Sequence, residues 1–149
     1  MNQIIRLRIF RVIAGYMALY HLVFGFLVVF LGEQGIVTTA RILYRIDVDV
    51  TPQILYLAKF IGAYGIAFGA MMALVAWQPV RYRNFVWAAV ALVGVRVFER
   101  FFFFDLLNEA FNVNMANNLV TIGIITFFAV ALVIFMPRQR QIDSTASAV

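Results

Sequence analysis

The chain has 149 residues, of which 64% are hydrophobic, 13% charged and none cysteine, with a formal net charge of +5. A water-soluble domain carries about 25% charged residues, so there is too little polar surface here to cover a globule. Four membrane spans of ~20 residues would also leave no room for a soluble catalytic domain. The absence of cysteine excludes disulfides, iron–sulfur clusters, thiolate zinc sites and cysteine nucleophiles.

The first apolar stretch, Val12 to Leu31, follows the basic flank Arg6, Arg8 and Arg11 and stops at Gly32-Glu33-Gln34-Gly35. At ~20 residues it exceeds the 7–15 of a signal-peptide core, and it is read as a retained span. Residues 32–52 form the longest loop, with a short amphipathic helix expected over Thr39 to Ile46. Thr51-Pro52 is a helix start, with Pro at the first helical position. The second span covers 53–77 and stops before Pro79, the third covers 85–104 and the fourth 117–136, closed by Pro137. Residues 1–137 thus form a single transmembrane domain, and the polar stretch 138–149 is expected to be a flexible cytoplasmic tail.

Arginine placement orients these spans. Eleven of the twelve basic residues are arginine, and seven of them (Arg6, Arg8, Arg11, Arg81, Arg83, Arg138 and Arg140) flank the same side. The opposite loops hold Arg41 and Arg45 against Glu33, Asp47, Asp49, Asp105 and Glu109. Both termini are therefore expected on the cytoplasmic side, and the positive charge orients the chain without implying nucleic acid. Tyr44, Tyr56, Trp77, Tyr82, Trp87 and the run 101–104 fall near span ends, where amphipathic rings settle. The fold expected is all-α: a four-helix transmembrane bundle, up-down-up-down, with short connections.

Hydrocarbon gives helices no hydrophobic reason to associate, so small residues that let backbones approach become the packing signal. Gly62, Gly65, Gly69 and Ala73 make such a stripe in the second span, directed either inside the bundle or at a partner. Ala14, Ala18 and Gly25 make another in the first, with His21 on the same stripe.

Polar groups inside the spans are the candidates for function, because a charge at the bilayer centre costs about 2.5–3.5 kcal/mol on insertion scales. Arg96, Glu99 and Arg100 share one face of the third span. Arg96 is expected to pair with Glu99, leaving Arg100 to extend outward toward Asp105 or Glu109. The set fits a helix-locking ion-pair network, a ligand or ion site, or a contact to another subunit.

His21 fits a neutral imidazole bonded to Tyr20, Tyr16 or a facing carbonyl, a proton-relay or substrate role, or an axial ligand to haem or chlorophyll. As the only histidine, it excludes bis-histidine haem within one chain. Lys59 suits the headgroup region, and Asn117 or Asn118 suits a helix cap. Lys59, Glu99, Arg100, Asn118 and Thr121 all fall in the outer half of their spans. Together they would make a net-positive cavity suited to a quinone headgroup, a lipid phosphate or a small anion. The sequence carries no phosphate loop, no paired metal ligands at helical spacing and no paired carboxylates beside a base.

Gly15 and Gly25, Gly62-Ala63-Tyr64 with Gly69, and the turn Pro79-Val80-Arg81-Tyr82-Arg83 give the chain a family likeness. Over most of its length it resembles small four-span bacterial membrane proteins of the DoxX-like and BphX-like kind. The resemblance implies a multi-pass protein of the bacterial cytoplasmic membrane. The DoxX name belongs to a subunit of a thiosulfate:quinone oxidoreductase, so it also implies a quinone-side role; it carries no functional residue across. The function expected is a non-catalytic accessory or scaffolding subunit of a larger membrane complex, in contact with lipid and with other subunits or copies of itself. The alternative is a membrane protein that binds a quinone, lipid or anion, as a quinone-linked redox subunit would.

Overall fold

α1 (Gln3–Phe30) begins well before the apolar run, so Arg6, Arg8 and Arg11 ride on the helix instead of preceding it. Nothing between Gln3 and Val12 breaks a helix, since Ile, Leu and Arg all propagate one. Its 28 residues reach about 42 Å. The computed structural model describes residues 3–137, and the expected tail at 138–149 lies outside the described residues.

Gly32 reverses the chain with φ of +59°, a conformation that costs glycine little. α2 (Gly32–Tyr44) follows at once, longer and earlier than the short helix expected at 39–46. It folds so closely back on α1 that a Cβ on Gly35 would run into the Leu27 carbonyl. Ile36 and Ala40, one turn apart, are its buried face.

α3 (Pro52–Trp77) starts as expected, with the Thr51 hydroxyl accepting from the Ile54 N–H at 3.3 Å and Pro52 in the first turn. A turn centred on buried Pro79 leads to α4 (Phe85–Phe102). The third span was expected to run unbroken to 104 and into a loop. Instead α4 breaks at Phe103, and a separate helix, α5 (Phe104–Phe111), follows. α6 (Met115–Phe135) opens with Asn114, whose Oδ1 accepts from the Asn117 N–H at 2.8 Å. The cap is Asn114, neither Asn117 nor Asn118, because the chain turns into the helix two residues earlier than hydropathy marks.

The most extensive helix pair is α1 with α3, and its seam is glycine. A Cβ on Gly25 would lie 2.8 Å from the Gly62 carbonyl oxygen and 2.9 Å from the Ile66 nitrogen. On Gly69 it would meet the Leu22 nitrogen at 2.9 Å and the Ala18 oxygen at 3.0 Å. Gly65 faces the His21 carbonyl. As numbering rises from Ala18 to Gly25 on α1 it falls from Gly69 to Gly62 on α3, so the two run antiparallel. The glycine stripe of the second span therefore packs within the chain. Ala73 is exposed and lies outside the seam, since past Gly69 the buried face of α3 turns to Met72 and Val75.

α6 packs on α1 and on α4, and α4 also touches α3. One apolar core joins all four: Phe10, Ala14 and Met17 of α1, Met72 and Val75 of α3, Val86 and Ala89 of α4, and Leu132 of α6. It lies at the end of the bundle that carries the start of α1 and the α3–α4 turn. Toward the other end, burial on α3 and α4 is lost along a fixed face. Met72 and Val75 are 0% exposed, whereas Ile61 and Tyr64, three turns away on the same side of α3, are 65% and 63% exposed.

Among the described residues, α1, α3 and α6 are long and apolar enough to cross a membrane. The expectation of four apolar spans is thus met by three helices. α4 is short and carries Arg96, Glu99 and Arg100.

Candidate functional site

Among the described residues, Arg100 and Asn118 are the buried polar pair, 6% and 1% exposed. The Arg100 guanidinium donates from Nη1 to the Asn118 Oδ1 at 2.8 Å, and the Asn118 Nδ2 donates to the Arg100 carbonyl at 3.0 Å. That carbonyl is in the last turn of α4, where backbone acceptors have no partner further along their own helix. One asparagine amide therefore answers both a charge and a helix end, and it ties α4 to α6. Arg100 was expected to extend outward, and Asn118 to cap a helix or line a cavity. Burial goes the other way because Asn118 faces the last turn of α4 on the inner side, beside buried Ile122.

Arg96 and Glu99 pair as their spacing implies, but loosely, at 3.9 Å between Nε and Oε2. Their side chains are 45% and 61% exposed. Ala89, two turns before Arg96 on the same side of α4, is 1% exposed. The charged flank thus begins where the four-helix core stops. Of the three charges, Arg100 alone is buried by the chain's own helices.

His21 projects from α1 beside that core. Its Nδ1 lies 2.7 Å from the Met17 carbonyl of its own helix. A carbonyl only accepts, so the neutral ring donates from Nδ1 and keeps Nε2 as its acceptor. The Phe68 ring of α3 lies 4.5 Å away, and Tyr20 meets it edge-on at 5.1 Å. Tyr16 stacks on Phe128 of α6 at 5.0 Å.

The remaining candidates do not join this group. Lys59 is exposed and lies nine residues from Phe68, half a turn out of phase with it on α3. Thr121 donates its hydroxyl to the Asn117 carbonyl at 2.9 Å, within α6. The cavity expected from Lys59, Glu99, Arg100, Asn118 and Thr121 is therefore not assembled: Arg100 and Asn118 close on each other, and Lys59 turns away. Of these candidates, Arg96 and Glu99 pair on α4, and His21 bonds within α1 and packs on Phe68 of α3. No cluster of three or more His, Cys, Asp or Glu that could hold a metal ion occurs among the described residues.

Sequence reasoning missed the role of Arg6. Its guanidinium donates to the carbonyls of Ile134 at 2.6 Å, Phe135 at 3.4 Å and Met136 at 2.9 Å, closing the end of α6. No local signal announces a partner 128 residues away.

The fold and the site define an all-α bundle with long apolar helices, of the kind membrane-embedded proteins carry. Comparison with protein-family models, curated proteins and solved structures finds no match.

Proposed function

We propose that the chain is an integral protein of a bacterial cytoplasmic membrane and a non-catalytic subunit of a larger membrane assembly. In this reading α1, α3, α4 and α6 cross in alternating directions, with both termini cytoplasmic. The observation that carries it is the Arg96–Glu99 pair, half-exposed on a helix that would sit in hydrocarbon. A charge facing lipid at that depth is costly, and such groups almost always face protein or water instead. Here the chain's own helices cover the pair only in part, so a neighbouring membrane helix is the natural cover for the rest. Exposed Leu92, Val95 and Phe98 on α4 supply apolar contact around it.

The test is a photo-crosslinking residue at Leu92, one turn before Arg96, in native membranes, followed by purification in mild detergent. A discrete crosslinked product, either another membrane protein or a second copy, is the expected result. A chain that stays a lone, uncrosslinked monomer defeats the proposal.

A second reading rests on the Nε2 acceptor that His21 keeps beside the Phe68 and Tyr20 rings. An amphiphile with a polar head, a quinone or a lipid, would set that head against the imidazole. Extraction and mass spectrometry of the purified protein, compared between wild type and His21→Phe, checks it: loss of a stoichiometric small molecule supports the reading, and none in either sample removes it. Haem or chlorophyll on His21 is decided by the absorption spectrum, since a colourless preparation excludes both.

A further inference from the structure

At the end of the bundle opposite the charged flank, the α3–α4 turn and the first turns of α1 enclose an open groove of about 680 Å³. Its polar wall holds three arginines, Arg11 from α1 and Arg81 and Arg83 from the turn, together with Asn84. Trp77 and Leu7 form its apolar edge. No acidic residue lines it. The acids of the described chain lie elsewhere: Glu33, Asp47 and Asp49 between α1 and α3, and Glu99, Asp105 and Glu109 toward the far end of α4 and in α5.

Orientation in a membrane requires only that arginines be numerous on one side. It does not require them to converge. Arg6 is consumed in closing α6, and Arg8 points to the exposed surface outside the groove. Arg11 and Arg81 are brought to one concavity from segments about seventy residues apart in sequence. The turn that presents Arg81 is fixed by buried Pro79 and by the bonds from Gln78 N–H to the Leu74 carbonyl (2.9 Å) and from Tyr82 N–H to the Gln78 carbonyl (3.0 Å). Arg81 also lies over the Tyr82 ring, 5.4 Å from its centre.

We infer that this groove binds the phosphate headgroup of an anionic phospholipid of the cytoplasmic leaflet. Guanidinium groups match phosphate oxygens two at a time, and basic pockets at the cytoplasmic ends of membrane helices hold acidic headgroups. The apolar edge selects a lipid over a free anion. Trp77 is 68% exposed and Leu74, a turn earlier on α3, is 38% exposed. Together they continue the groove onto the face along which acyl chains would run. The inference rests on the membrane reading proposed above.

The chain has two tryptophans, Trp77 and Trp87, so Trp87→Phe leaves Trp77, at the groove itself, as the sole tryptophan, excited selectively at the red edge where tyrosine does not absorb. The full-length variant, reconstituted in phosphatidylcholine, is titrated with phosphatidylglycerol or with further phosphatidylcholine, each brominated on its acyl chains so that contact quenches tryptophan. Phosphatidylglycerol is expected to quench Trp77 at lower mole fraction. Arg11→Gln with Arg81→Gln should weaken that preference by about thirtyfold, while Arg8→Gln leaves it in place. Equal quenching by the two lipids, or a preference that survives the double substitution, overturns the lipid site while leaving the membrane reading intact. Protection of Trp77 by millimolar inorganic phosphate in place of lipid also overturns it, in favour of a free anion. Absence of quenching by either lipid removes the membrane reading itself.

Discussion

Gly25 and Gly69 lie where α1 and α3 meet backbone to backbone, and a methyl group at either has nowhere to go. Gly25→Ala is expected to push the helices apart and cost about 1–3 kcal/mol, the usual range for overpacking. Gly123→Ala is the matched control: nothing lies within 4 Å of its added Cβ, so only the better helix propensity of alanine operates, and stability should hold or rise slightly. Thermal unfolding in detergent, followed by circular dichroism, separates the two. The Arg100–Asn118 pair behaves differently, because each residue is buried with the other. Asn118→Leu is expected to cost about 1.5–3 kcal/mol by removing a hydrogen-bond partner from a buried charge, and Arg100→Leu with Asn118→Leu should recover much of that loss. A double-substitution cycle that shows additive effects would refute the coupling. The glycine stripes were legible in the sequence because close approach demands a small residue wherever it happens. Which charge is buried was not legible. Arg96 and Arg100 sit on one face of one helix, and only the position of Asn118 on α6 decides between them.

Among the helices, α6 depends on a residue from the opposite end of the chain. Arg6 supplies donors to carbonyls that no later turn can reach, so Arg6→Ala should fray the last turn of α6 and cost about 1 kcal/mol. Faster amide exchange confined to residues 132–136 is the expected signature, and unchanged exchange there would show that the contact carries no weight. The helix starts at Thr51 and Asn114 depend on a side chain reaching its own backbone three residues on. Such a signal is local: the first was read from sequence, while the second was masked by two further asparagines downstream. α5 was not read at all. It has no buried residue, so hydropathy along it resembles a loop, and its existence follows from the chain turning at Phe103 and Asn112.

For the molecule as a whole, the absence of cysteine makes the membrane topology directly measurable. Single cysteines at Arg8 and Gln78 should react with an impermeant thiol reagent only from the cytoplasmic side, and at Asp49 and Asn108 only from the other. Any position labelled from the wrong side would overturn the alternating four-crossing arrangement. The sequence by itself determined the class of fold, an all-α chain with long apolar helices, since hydropathy records apolar length locally, residue by residue. It also determined that three charges lie in the second half of α4. The tertiary structure decided what becomes of them, and where arginines converge: Arg100 sealed onto Asn118, Arg96 and Glu99 left uncovered, Arg11 and Arg81 sharing a groove. Those outcomes depend on distances between segments far apart in the chain, and a one-dimensional pattern of polarity contains no such distances.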